Sequence, residues 1–509
     1  MHESNFIGIF HYFYNMSFFP EIRQFILKLL QMTCILPLLH LQASKRPNVL
    51  VILADDMGTG DVRALNADSK IPTPNMDHLA AEGLVFRDAH SASSIGALAR
   101  YGMMTGRYCW RSDPTCRDVK GFDLPLVPQG RVTLGDLFKK KGYRTAYFGK
   151  WGLGLGWITR DGKPGKWDHG YSGTGESLNI DFNKPVFGGP KTLGFDYFFG
   201  MAASLDMPPY AYIENDTTVG IPDKVTRAGG RQGLTVDGFR VVDVMPNLTQ
   251  KAVRFLQDQA KNRPDEPFFL FVSLTAPHTP FVPTEQVKGL SQAGRYGDSV
   301  AMVDWSVGRL LNTLKKSGLA GDTLVLLTSD NGSAMSNEEM EPDFGHRPSY
   351  LFRGKKGDPW EGGHRVPLLV NWPGNLQSGT SNEVICQTDF LATFAEILGT
   401  ELPGNAGEDS FSFLPVLQGK TLEKPIREVI IHNASHGSFA IREGKWKLIL
   451  PPEHVVPEGS DASSIGQLYN LETDIGERSN LWKNNPALVE RLRKLLEKSR
   501  SEGQTRKAS

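Results

Sequence analysis

Three short apolar runs rich in β-branched and aromatic residues constrain this chain most: "VLVIL" from Val49, "FFLFVSL" from Phe268 and "TLVLLTSD" from Thr323. They are accompanied by segments of helical periodicity such as "VAMVDWSVGRLLNTLKK" from Val300. Strands that are apolar on both sides need cover on both faces. The pattern therefore predicts an α/β fold with a large, mostly parallel sheet sandwiched by helices. In such folds ligands gather at the carboxyl ends of the strands.

From about Lys424 the pattern changes to closely spaced strands, "EVIIHN", "SFAIREGKWKLIL" and "QLYNL", before the amphipathic stretch "ALVERLRKLLEKSR". This predicts a smaller C-terminal α+β domain over 424–509, with an antiparallel sheet and one helix, after an α/β domain over 44–423. The Gly/Pro-rich stretch from Gly152 to Gly230 is expected to form long loops on the scaffold.

Residues 1–43 read as a secretory signal peptide: Arg23 and Lys28 precede the apolar run "LLQMTCILPLLHLQA", which ends in a small residue at Ala43. Met16 is an alternative start, and an uncleaved anchor is the competing reading, though the run is short for a membrane span. The expectation is export to a periplasmic or extracellular space, with no stable membrane insertion after cleavage. Of four cysteines, Cys34 leaves with the signal. Cys109 and Cys116 are close enough to close a small loop in an oxidising compartment, and Cys386 is expected to be a buried, inert thiol. Lys plus Arg and Asp plus Glu both number 56, so no global field draws the chain to nucleic acid. Recognition of an anion must be local.

Asp55 and Asp56 follow directly on "VLVILA", and Asp330 and Asn331 follow on "TLVLLTS". Two strand ends thus each present a pair of oxygen ligands. Three carboxylates and an amide, without His or Cys, suit a hard cation, Ca²⁺ with Mg²⁺ also fitting, and not zinc.

The ordered set "PNVLVILADDMGTGD", "MMTGRY", "GKWGLG", "APHTPF", "TSDNG" and "RGKKGDPWEGGHRVP" resembles the sulfatase family of the alkaline-phosphatase superfamily, arylsulfatase branch, from about Arg46 to Asn480. The resemblance implies a sulfuric ester hydrolase scaffold acting on a sulfated small molecule or glycan. In that family a C-x-P-S-R turn precedes T-G-R, and its Cys matures to a formylglycine that attacks sulfur. Counting back from Thr105 in "SIGALARYGMMTGRY", Arg100 falls on the family Arg, Ala99 on the Ser, Leu98 on the Pro and Gly96 on the Cys. Gly96 has no side chain to oxidise, so no formylglycine is expected. Ser93 and Ser94 do not begin a maturation motif ending at Arg100. In "GKWGLG" Gly152 takes the place of a His that, by resemblance, helps collapse the sulfated intermediate.

The resemblance keeps the groups that handle metal and anion. Asp55, Asp56, Asp330 and Asn331 match the metal ligands, Lys150 and Lys356 the sulfate-binding lysines, and His278 the His that protonates the leaving alcohol. Arg100 would orient the nucleophile. His432 and His436 lie in a region from which the branch can send a His to the site, but the residues favour a structural reading for both. Removing a covalent nucleophile costs on the order of a million-fold in turnover. The written sequence is therefore expected to be catalytically impaired. Two alternatives stay open: an active arylsulfatase whose natural residues at 96 and 152 are Cys or Ser and His, and a non-enzymatic binder of sulfated ligands. A phosphodiesterase or phosphonate hydrolase fits less well, since it too needs a nucleophile at 96. Placing Cys, Pro and His at 96, 98 and 152 is expected to be structurally tolerable, since a helix entry accepts Pro near its first turn and Gly elsewhere is normally the less stable choice.

Overall fold

The computed structural model describes residues 46–112, 118–163, 179–452 and 466–506. Residues 1–43, Cys116 and the side chain of His436 lie outside the described residues, and so do the signal peptide and the Cys109–Cys116 loop expected from sequence. Pro47–Ser509 forms one compact unit.

The main sheet has ten strands: β1 (Asn48–Asp55), β2 (Leu84–Phe86), β3 (Arg144–Lys150), β4 (Tyr197–Met201), β5 (Ile213–Glu214), β6 (Thr217–Thr218), β7 (Phe268–Pro277), β8 (Thr323–Ser329), β9 (Leu368–Asn371) and β10 (Gly379–Ser381). Their spatial order is β10-β2-β9-β8-β1-β7-β3-β4-β5-β6. The central five, β8-β1-β7-β3-β4, run parallel. β9 turns antiparallel against β8 on one side, and β5 against β4 on the other. The fold class expected from the apolar runs is the one found. The Gly152–Gly230 stretch is a partial correction, because it contributes β4 to the parallel core and the β5–β6 hairpin to the edge.

Alternation along β1 explains the double cover. Val49, Val51 and Leu53 belong to one core, and Leu50, Ile52 and Ala54 to the other. Each such aliphatic side chain contributes roughly 1.5–3 kcal/mol when taken from water. The helices α1 (Pro74–Glu82), α3 (Val244–Asn262) and α4 (Gly294–Lys316) cover the second face, with Val300, Val303, Val307, Leu310 and Leu314 of α4 at 3.6-residue spacing. The first face takes α2 (Gly96–Thr105) through Leu98, Tyr101, Met103 and Met104.

The same first core continues into a four-stranded antiparallel sheet, β11 (Val429–Asn433), β12 (Phe439–Glu443), β13 (Trp446–Leu450) and β14 (Gln467–Asn470), and the helix α5 (Pro486–Ser501). Ile431, Ile441, Leu448 and Leu468 of this sheet and Val489, Leu492 and Leu496 of α5 pack into it. Cys386 is fully buried, and burial pushes its thiol upward, which fits an inert side chain. Among the described residues no helix is long and apolar enough to cross a membrane.

Candidate metal and anion site

The carboxyl ends of the parallel strands meet at one place. β1 ends at Asp55, β8 is followed by Asp330, β3 ends at Lys150, and β7 is followed by His278. The register lays Asp55 beside Pro277, Ala54 beside Ser329 and Lys150 beside Met201. Asp56 leaves the sheet with φ at 69°, a left-handed conformation that Asp tolerates better than most residues. Its backbone N–H donates to Asp330 Oδ1 at 3.1 Å, which ties the two acidic turns together.

Carboxylate oxygens of Asp55, Asp56 and Asp330 lie within 4.8 Å of one another, and all three residues are buried. Asn331 completes the set. Its Nδ2 donates to Asp56 Oδ1 at 2.7 Å and to the Gly332 carbonyl at 2.9 Å, while its Oδ1 is buried without a partner. A buried acceptor left unpaired calls for a ligand. With three carboxylates beside it, the donor set fits a hard divalent cation.

Three cationic side chains surround these acids. Lys150 Nζ donates to both oxygens of Asp55 at 2.9 Å, and Lys356 Nζ lies 2.9 Å and 3.0 Å from the two oxygens of Asp56. Arg100 donates through Nε to Asp330 Oδ2 at 2.9 Å, while its buried Nη2, without a hydrogen-bond partner, lies 2.9 Å from the same oxygen and 3.4 Å from Asp55 Oδ1 as an ion contact. Its Nη1 donates to Ser273 Oγ at 2.6 Å and to the Lys150 carbonyl at 3.3 Å. Burial alone would raise the carboxyls of Asp55 and Asp56. The neighbouring Lys150, His278 and Arg100 outweigh it for Asp55, and Lys356 and His278 do so for Asp56, leaving both below the ordinary value. Burial opposes the charge on Lys356 and Arg100, yet these carboxylates hold both cations above their usual range. His278 donates from Nδ1 to the Thr279 carbonyl at 2.7 Å, which leaves Nε2 facing Asp56 Oδ2 at 3.7 Å.

Gly96 opens α2 beside this cluster. A Cβ placed on it would lie 2.7 Å from Asp330 Oδ2 and 3.2 Å from Asn331 Oδ1. Gly152 is left-handed, with φ at 68°, and a Cβ there would lie 3.2 Å from Lys150 Cε. Both observations put a cost on side chains at 96 and 152, which the sequence reading takes as tolerable. At 96 the Asp330 carboxylate must move, and at 152 the backbone favours glycine. Ser93 and Ser94 both donate through Oγ to the Asn433 carbonyl, at 3.0 Å and 3.4 Å.

Sequence reasoning missed Ser273, which anchors Arg100, and a buried network behind the Ser91–Ser94 turn. Asp88 pairs with His90 Nε2 at 2.7 Å, with Arg442 at 2.8 Å and with Arg365. Lys447 bridges Glu361 at 3.0 Å and Glu477 at 2.9 Å. Lys447 also donates to His364 Nε2 at 3.1 Å, so His364 Nδ1 carries a proton and donates to His90 Nδ1 at 3.0 Å. His432 donates from Nδ1 to the Ser91 carbonyl at 3.2 Å and stacks on His364 at 3.6 Å. Stacked rings and this run of donors suit neutral imidazoles in a structural network and not three converging metal ligands. The structural reading of His432 fits this place. A signal was present, since His364 and Glu361 lie in "RGKKGDPWEGGHRVP", a motif read only for Lys356.

A buried oxygen cluster ringed by cationic side chains, at the carboxyl ends of a mostly parallel sheet, defines an alkaline-phosphatase-like hydrolase scaffold. Within that class the chain belongs to the sulfatase family, whose family model, described as Sulfatase, matches residues 47–400. The model for the C-terminal region of N-sulphoglucosamine sulphohydrolase matches residues 358–502. The chain is similar to the N-acetylgalactosamine-6-O-sulfatase of Bacteroides thetaiotaomicron, at 30% identity over 504 residues covering 90% of this chain and 93% of that protein. Its fold is similar to a solved sulfatase structure from work on glycosaminoglycan metabolism by the same organism, with a TM-score of 0.76, 29% identity, and coverage of 90% of this chain and 100% of that one. A structure in complex with its substrate D-glucosamine-2-N,6-O-disulfate shares the fold at a TM-score of 0.62 and 18% identity, covering 90% and 98% of the two chains.

Proposed function

We propose that this chain is an exported sulfatase-family protein that binds the sulfate group of a sulfated glycan or small molecule beside a divalent cation and, as written, does not hydrolyse it. The observation that carries the reading is the company of Gly96. Asp55, Asp56, Asp330, Asn331, Arg100, Lys150, Lys356 and His278 assemble the binding and leaving-group machinery at the helix entry where the nucleophile would stand, and residue 96 offers only hydrogen. Asp55, Asp56, Asp330 and Asn331 would hold the cation, with Ca²⁺ fitting the all-oxygen set best. When bound, the cation would draw electron density from a sulfate oxygen.

Lys150 and Lys356 would bind the anion, and His278, with Nδ1 donating to the Thr279 carbonyl, would as an imidazolium hand its Nε2 proton to a leaving alcohol and keep the one on Nδ1. Arg100, pinned by Ser273 and Asp330, has no nucleophile to orient. A sulfated sugar is favoured as ligand by the N-acetylgalactosamine-6-O-sulfatase relative and by the disulfated glucosamine in a neighbour of the same fold. The left-handed Gly152 supports glycine as the fitting residue there, and so supports the impaired reading over an active enzyme with altered positions. Calorimetry in calcium with 4-nitrophenyl sulfate and with 4-nitrophenol tests it. Binding of the sulfate ester alone is expected, and equal affinity for both removes the proposal.

A further inference from the structure

The three acids and three bases of the site form closed pairs. Lys150 takes both oxygens of Asp55, Lys356 both oxygens of Asp56, and Arg100 one oxygen of Asp330 through an Nε hydrogen bond and an Nη2 ion contact. Three negative charges meet three positive ones, so a sulfate ester approaching this arrangement finds no net attraction. A divalent cation at the same oxygens would stand about 2.3–2.6 Å from each. An ammonium group 2.9 Å from those oxygens would then face a doubly charged neighbour at close range.

The two kinds of base differ in how they can respond. Arg100 is only 2% exposed and is fixed on its far side by Ser273 Oγ at 2.6 Å and the Lys150 carbonyl at 3.3 Å. Lys356 has a four-carbon stem, a side chain 26% exposed, and oxygens of one carboxylate as its partners. Lysine ammonium groups are compact point charges that turn easily on their stems, whereas a guanidinium held in a fork is not free to move. Lys150 lies deeper but has the same stem.

We propose, resting on the functional reading above, that Lys356 and Lys150 are shared between the carboxylates and the sulfate group, so that cation and sulfate ester each strengthen the binding of the other. Entry of the cation takes over Asp55 and Asp56 and turns the two ammonium groups toward the anion. Entry of the anion draws the ammonium groups away and leaves the carboxylates to the cation. By linkage the factor is the same in both directions.

The test is calorimetry on the full chain at constant ionic strength. Calcium is titrated with and without saturating 4-nitrophenyl sulfate, and the ester is titrated with and without saturating calcium. Each ligand is expected to tighten the other about tenfold, within the usual range of such couplings. Lys356→Gln is expected to bind calcium severalfold more tightly than wild type when the ester is absent, to bind the ester more weakly, and to lose most of the coupling. Calcium and the ester binding with affinities independent of each other would overturn the coupling while leaving the functional reading intact. Failure of the ester to bind with or without calcium would overturn the functional reading beneath it. A Lys356→Gln protein that weakens both ligands alike would overturn the role given to this lysine, and the wild-type titrations stand whether or not that variant folds.

Discussion

Arg100→Met removes the guanidinium and keeps most of the buried stem, and its effect follows from what Arg100 touches. Asp330 would lose the Nε hydrogen bond and the Nη2 ion contact, both at 2.9 Å, and keep the Asp56 N–H at 3.1 Å, while Ser273 Oγ and the Lys150 carbonyl would lose their bonds to Nη1. Breaking a buried ion pair by deleting one partner costs about 3–5 kcal/mol, because the other charge stays behind without compensation. Without calcium, the variant is expected to lose about that much in urea denaturation followed by circular dichroism. Calcium should restore part of the loss. At a free concentration of a hundred times its Kd, a ligand adds about 2.7 kcal/mol to a site of this kind, and in the variant the cation meets one positive charge fewer. The calcium-dependent gain should therefore be larger in Arg100→Met than in wild type. A loss below about 1 kcal/mol without calcium would contradict a buried Arg100–Asp330 ion pair of ordinary strength. An identical loss in calcium and in chelator would refute the view that Arg100 and the cation answer to the same carboxylates.

In the double variant Asp55→Ala, Asp330→Ala, the rise in melting temperature expected on adding calcium to wild type should vanish, and an unchanged rise would place the cation elsewhere. Acid should weaken the fold through His90, His364 and His432, which burial holds below the ordinary imidazole value. The unfolded chain takes up protons below about pH 6.5 that the folded chain refuses, so this stability is present above that pH and is lost on acidification. His432→Phe keeps the ring stack and removes one such proton, so the advantage of wild type over the variant should shrink by about 1.4 kcal/mol per pH unit below pH 6.5; a difference independent of pH would contradict this. The combination Gly96→Cys, Leu98→Pro, Gly152→His, expressed with a formylglycine-generating enzyme, should gain aryl sulfate turnover, with Gly96→Cys alone gaining less. The His at 152 should cost about 1–2 kcal/mol for its left-handed backbone, and a fully converted, calcium-binding triple variant without hydrolysis would mean that other parts of the pocket have changed.

The strand ends were legible because the apolar runs stop at charged pairs: "VLVILA" before Asp55 and Asp56, "TLVLLTS" before Asp330 and Asn331. Strand type and ligand type could be read from one stretch each, since both depend on neighbours in sequence. What lies across the site could not. Lys150 on Asp55, Ser273 on Arg100 and Lys356 on Asp56 join residues 95, 173 and 300 positions apart, and no local rule sets such pairings. β4 was hidden because its five residues, "YFFGM", sit among glycines and prolines that mark turns. The His90–His364–His432 network escaped because a buried histidine with a partner looks, in sequence, like any other histidine. The left-handed φ of Gly152 was equally invisible, since "GKWGLG" reads the same whatever the backbone does.

The machinery around Gly96 is proposed to bind a sulfate ester without turning it over. Steady-state assay of the purified, calcium-loaded chain as written, with 4-nitrophenyl sulfate, tests it most directly. Release of 4-nitrophenol indistinguishable from that in buffer is expected, while the ester still binds in calorimetry. Hydrolysis well above the buffer rate, proportional to protein concentration, would contradict it.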